Sequence, residues 1–227
     1  MRERRLSIFN RFKTGGRQLT GEARRQRLIV LALATKINPA DRTRTGIAQQ
    51  VADAENQMWK NVYSGIFKDL DEVLLPMHIV EEENRLPLKR GPKALQERGV
   101  PYYRLTRGGL LVALSLAEPG EEKRLLDAFF RGAEPGEERF SRILGVLAEA
   151  SPSFTSHVMR LYVEAFCEGR IDGLLPFDLA RLQETQDRSL RIQREVIAAF
   201  AGFGERERDD TIRMLDEMTA GGKGGAA

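Results

Sequence analysis

The chain has 227 residues, 41% of them hydrophobic, enough for one large core or two small ones, and a net charge of +3. A single cysteine, Cys167, excludes an intramolecular disulfide, and with only His78 and His157 beside it the soft ligands are too few for a zinc site. No run approaches the ~18 apolar residues of a membrane span, and residues 1–27 lack the apolar stretch of a signal peptide, so a cytoplasmic protein without membrane contact, metal or cofactor is expected.

The modest net charge hides an uneven distribution. Residues 1–27 hold nine Arg or Lys against Glu3 and Glu22, a local +7; residues 85–107 hold seven against Glu97 alone, a local +6. The remainder is acidic. Two concentrated basic segments point to a polyanionic partner, because clustered Lys and Arg neutralise phosphates and release their counterions.

In chain order, residues 1–20 form a basic arm whose Leu6, Ile8, Phe9 and Phe12 fit either packing or a short amphipathic helix. A helical pattern starts at Glu22, carries Leu28, Ile29, Leu31 and Leu33, and stops before Pro39. A short helix over 45–53 puts Ile47, Ala48, Val51 and Ala52 on one face. After a turn at 54–56, a longer helix over 57–74 has an inner stripe of Trp59, Val62, Tyr63, Ile66, Phe67 and Leu70. Its outer face reads Gln57, Lys60, Asn61, Ser64 and Lys68, all basic or hydrogen-bonding, with Gly65 beside them to admit a close surface. The carboxylates Asp69, Asp71 and Glu72 come only in its later half. Residues 78–82 read as a strand, 83–100 as a long basic loop, and 101–106 as a second strand able to pair antiparallel with the first. A Leu- and Val-rich helix over 108–117 follows.

Helix, short helix, turn, longer helix, strand, basic loop, strand, helix is the order of a winged helix-turn-helix. The stretch Tyr103-Arg104-Leu105-Thr106-Arg107-Gly108-Gly109 resembles the final wing strand and helix start of bacterial and archaeal regulators of the MarR, PadR and ArsR type, where aromatic-Arg-Leu-Thr-x-x-Gly recurs. The resemblance covers residues 22–117, and its loop at 83–100 is longer than the usual wing. It implies a mainly α fold with a small β-hairpin wing, followed by an all-helical domain. It also implies a recognition helix over 57–74 in the major groove of double-stranded DNA, with Gln57, Lys60, Asn61, Ser64 and Lys68 toward the bases. Arg85, Lys89, Arg90 and Lys93 would hold phosphates from the wing, together with the Arg-rich arm. The implied function is a homodimeric transcription regulator; the alternatives are an RNA- or ribosome-associated protein and a protein-interaction adaptor.

In the second half, Ala117-Glu-Pro-Gly-Glu-Glu122 recurs as Ala133-Glu-Pro-Gly-Glu-Glu138, and each copy signals a helix start. The two helices are expected to bury Leu125, Leu126, Phe129 and Phe130, and Phe140, Ile143, Leu144 and Leu147. A third helix over 153–168, a long one over 177–200 without a sustained heptad, and a last one over 205–218 complete a helical domain over 118–219, with a dimerising or interacting role by architecture. Residues 220–227 read as a flexible tail. Gly221-Gly-Lys-Gly-Gly225 has neither the preceding strand nor the following Ser or Thr of a phosphate loop, and no nucleophile sits in a catalytic motif. An enzyme is not expected.

Overall fold

The computed structural model of the chain describes residues 5–13, 18–87, 99–118, 120–133, 137–185 and 187–220. The described residues are mainly helical with one antiparallel two-stranded hairpin. They fall into two units, Met1–Thr185 and Gln186–Ala227.

Three helices begin the first unit. α1 (Gly21–Thr35) is capped by Thr20, whose hydroxyl accepts from Ala23 N at 3.2 Å, and buries Ile29, Val30 and Leu33. A 3-10 turn at Pro39–Arg42 redirects the chain. α2 (Arg44–Ala54) starts where Thr43 accepts from Gly46 N at 3.1 Å, and its small inner face, Ile47, Ala48, Val51 and Ala52, is buried as the spacing requires. Each fully buried Ile or Val there contributes about 1.5–3 kcal/mol. α3 (Trp59–Lys68) continues into a wider π turn, Asp69–Leu74. The helix expected from 57 therefore starts two residues later, because Met58 is its cap residue in extended conformation, and Gln57 belongs to the preceding turn. Val62, Ile66, Leu70 and Leu74 form the buried stripe. Trp59, Tyr63 and Phe67 are only half-buried and stack along the helix edge, with centroids 5.4 and 4.5 Å apart.

The basic arm is not separate from this group. Leu6 and Ile8 are core residues, Gln26 Oε1 accepts from Ser7 N at 2.8 Å, and Arg27 Nε donates to Ile8 O at 2.6 Å.

β1 (Val80–Leu86) and β2 (Val100–Leu105) pair antiparallel, from Val80 opposite Leu105 to Leu86 opposite Val100, with a bulge between Glu82 and Asn84. The strand expected over 78–82 begins instead after His78, whose φ of 53° marks a turn, and runs four residues into the stretch read as loop. The bulge absorbs the extra residue of β1 and so lets pairing continue past three consecutive glutamates.

α4 (Arg107–Leu116) packs against α1 on one side and against α5 (Glu122–Phe130) and α7 (Pro152–Cys167) on the other; α6 (Glu138–Ala150) closes the group against α5 and α7. One hydrophobic cluster runs from Leu6 to Phe177, so the division expected after Ala117 falls inside the first unit. α6 buries Leu144 and Ala148, whereas Ile143, expected inside, is exposed. Phe177 lies in no helix. It sits at the centre of a ring cluster, with Phe129, Phe140 and Tyr162 at 5.8, 5.8 and 5.0 Å. The helix expected over 177–200 is broken in two: α8 (Leu179–Gln183), capped by Asp178, ends the first unit, and α9 (Arg188–Gly202) starts anew where Asp187 accepts from Ser189 N at 2.6 Å. α10 (Glu205–Ala220) follows the Phe203-Gly204 corner.

Candidate nucleic-acid interface

The outward face of α3 is as the spacing places it. Lys60, Asn61, Ser64 and Lys68 are exposed on the helix, Gln57 is exposed in the turn before it, and none of the five side chains hydrogen-bonds or ion-pairs with the described chain. The first half of α3 contains no carboxylate. Of the acids that follow, Asp69 turns inward and Asp71 is ion-paired with Arg44. The face thus offers two lysines and three hydrogen-bonding side chains without an internal claim on any of them.

Gly65 has a different role from the one expected. A Cβ there would stand 2.7 Å from Arg25 Nε, so the glycine makes room for an internal arginine rather than for an external surface. Arg25 Nε donates to Asp69 Oδ2 at 2.8 Å, and Gln26 Nε2 lies 3.5 Å from Asp69 Oδ1. Burial pushes the Asp69 carboxyl above its ordinary range, and Arg25 and Gln26 hold it down only in part.

The described strands of the hairpin are less cationic than their sequence. Arg85 is exposed but bound by both nitrogens to Glu82, Nε to Oε1 at 2.6 Å and Nη2 to Oε2 at 3.0 Å. Arg104 pairs with Glu81 at 2.6 Å, and Arg42 with Glu83. Arg44 stacks over Phe67 at 4.5 Å, donates to Tyr103 Oη at 2.8 Å and pairs with Asp71. Burial is the main reason that the Tyr103 hydroxyl is raised above its ordinary pKa. Lys89, Arg90 and Lys93 lie outside the described residues. Of the four wing cations expected to hold phosphates, the one described is already neutralised by its own strand.

A basic cluster that sequence spacing did not reveal lies at the arm. Arg27 and Arg160 both stack on Phe9, at 5.4 and 5.5 Å from its centroid, which brings α1, α7 and the arm to one ring. Arg160 has Glu164 at 2.9 Å, but Arg27 has no carboxylate within ion-pair distance among the described residues. Its guanidinium is held below its ordinary value, first by burial and then by Arg160 and Arg11. Residues 133 positions apart in sequence give no periodic signal of such a meeting.

The resemblance motif has a physical explanation. Tyr103 is buried; Thr106 N donates to Ile79 O at 3.1 Å; and the Thr106 hydroxyl caps α4 by accepting from Gly109 N at 3.1 Å. A Cβ on Gly109 would fall 2.1 Å from Ile79 O, so only glycine lets α4 approach the root of β1. Arg107, in the same turn, is ion-paired with the buried Glu137 and stacks over Phe129 at 4.5 Å.

Among the described residues, no His, Cys, Asp and Glu group has metal-binding geometry and no helix is long and apolar enough to cross a membrane. Comparison of the chain with protein-family models, with curated proteins and with solved structures finds no match in any of the three.

Proposed function

We propose that the chain is a DNA-binding transcription regulator in which residues 21–117 act as a winged helix-turn-helix, α3 being the recognition helix and β1 and β2 the wing. The observation that carries this reading is the outward face of α3: Gln57, Lys60, Asn61, Ser64 and Lys68 are exposed, unengaged and free of neighbouring carboxylates in the first half of the helix. Asn can bind adenine through two hydrogen bonds, and Lys reaches guanine or phosphate. Arg11 and Arg27, which has no carboxylate partner among the described residues, add contacts to the DNA backbone from the arm side. No catalytic role belongs to this reading, and the protein works as a homodimer.

A second reading, binding of structured RNA, is favoured by one feature. The partly exposed ring of Trp59 stands beside the polar stripe, and such a ring can stack an unpaired base, which duplex DNA does not offer.

Fluorescence anisotropy with random duplex DNA and with a structured RNA, each at two salt concentrations, separates the readings. Duplex binding that weakens with salt, and whose salt slope falls by about 1 for each of Lys60→Ala and Lys68→Ala, supports the regulator. Tighter binding to the RNA, lost on Trp59→Ala, supports the second reading. Absence of binding to both at low salt overturns the two together and leaves a protein-interaction role.

A further inference from the structure

We propose that α9 and α10 are covered by the same two helices of a second copy of the chain, α9 of one copy lying antiparallel against α10 of the other. α9 contains no buried residue. Ile192, Val196 and Ile197 on α9, and Ile212, Leu215 and Met218 on α10, stand out into solvent at about half exposure or more. Helices of 15 and 16 residues are near the limit of stability in water unless an apolar face is covered. Within the chain they do not cover one another. Their corner is held by Arg208, which stacks over Phe200 at 5.9 Å and donates to Ala201 O at 3.2 Å, and both stripes remain open.

Charge selects the occupant. α9 carries Arg188, Arg191 and Arg194 against Glu195, a net +2, while α10 carries six acids against three arginines, a net −3. Like against like would set plus on plus and minus on minus; α9 against α10 pairs opposite signs. With the two helices antiparallel, the arginines in the first half of α9 meet Asp216 and Glu217 at the end of α10, and Val196 meets the region of Ile212. A two-fold axis then makes both contacts at once, as an isologous interface requires. This interface deepens the homodimer named above but does not depend on nucleic-acid binding, which is measured separately.

Sedimentation equilibrium of the full chain over a wide concentration range tests it. The expected result is a dimer, with Val196→Glu raising its Kd by about tenfold or more while the near-UV circular dichroism of the first unit is unchanged. Reciprocal charge reversal tests the pairing itself. One chain carries Arg188→Glu, Arg191→Glu and Arg194→Glu, another carries Asp216→Lys and Glu217→Lys; each alone is expected to be monomeric and their mixture dimeric. A wild-type chain that stays monomeric, a dimer unaffected by Val196→Glu, or a mixture that fails to associate overturns the interface. A monomer that still binds duplex DNA would remove this interface and leave the regulator reading; a dimer that binds no nucleic acid would do the reverse.

Discussion

Arg25 reaches across the backbone of Gly65 to place its Nε 2.8 Å from Asp69 Oδ2, and this pair locks α1 to the π turn that ends α3. The contact fixes the helix that carries the exposed polar face from below. It depends on a glycine, because any Cβ at position 65 would collide with the guanidinium. Gly65→Ala is expected to destabilise the protein by about 1–3 kcal/mol through that overpacking, although alanine is the better helix former. Urea denaturation measures it, and an unchanged or raised midpoint would count against the lock.

The same pair makes a pH prediction. Asp69 titrates above its ordinary value because burial outweighs Arg25 and Gln26. A carboxyl raised on folding binds its proton more tightly in the native state, so its contribution to stability is full below the unfolded pKa near 3.8 and is lost as pH rises through the folded one. Relative to Asp69→Asn, the natural chain should therefore gain stability as the pH is lowered from neutrality toward 3.8. Denaturation midpoints of both proteins across that range give the difference; a gap that moves against the natural chain on acidification refutes the assignment.

Arg85 is bound to Glu82 through two nitrogens, whereas Lys60 and Lys68 have no internal partner. Under the proposed function Arg85→Ala should change the salt slope of duplex binding less than Lys60→Ala does, and Glu82→Gln, which releases Arg85, should tighten binding. Anisotropy titrations at two salt concentrations check the order. Arg85→Ala as the most damaging of the three would contradict it.

Cys167 is largely enclosed, and burial, with Glu164 and Glu168 adding to it, pushes its thiol up to about 12. Almost no thiolate exists at pH 8, and the thiolate is the nucleophile. A disulfide reagent should react slowly with the native chain and rapidly in denaturant, where the ordinary value returns. Equal rates in both conditions would show the thiol to be open.

Gly109→Ala forces a Cβ to within 2.1 Å of Ile79 O and should abolish folding or cost more than about 3 kcal/mol, whereas Thr106→Ala removes a cap worth about 1 kcal/mol. Thermal melts of the two variants should rank them in that order.

Much of the first unit was legible in the sequence because its signals are local. The i, i+4 spacing of Ile47 and Val51, the break at Pro39 and the helix start within the Tyr103 to Gly109 stretch each act within one or two turns. The outward set on α3 was readable for the same reason: apolar residues at 62, 66 and 70 leave 60, 61, 64 and 68 on the other side. What failed was set by distant partners. The Glu83 bulge shifts the register of a hairpin whose partner strand lies some twenty residues on; Gly65 answers to Arg25; and Phe177 leaves the helical pattern to fill a hole between α5, α6 and α7. Charge counting misled in a related way. The glutamates of β1 lie just before the 85–107 segment and pair with its Arg85 and Arg104, so the segment total of +6 was never available to a partner in full.

Arg107 begins α4 two residues beyond the end of β2, and its guanidinium is committed to Glu137 and Phe129. One side chain therefore serves as a tie rod between the hairpin's root and the start of α6. A displacement of α6 would therefore act on the turn between β2 and α4 through this one side chain, and not only through the chain between them.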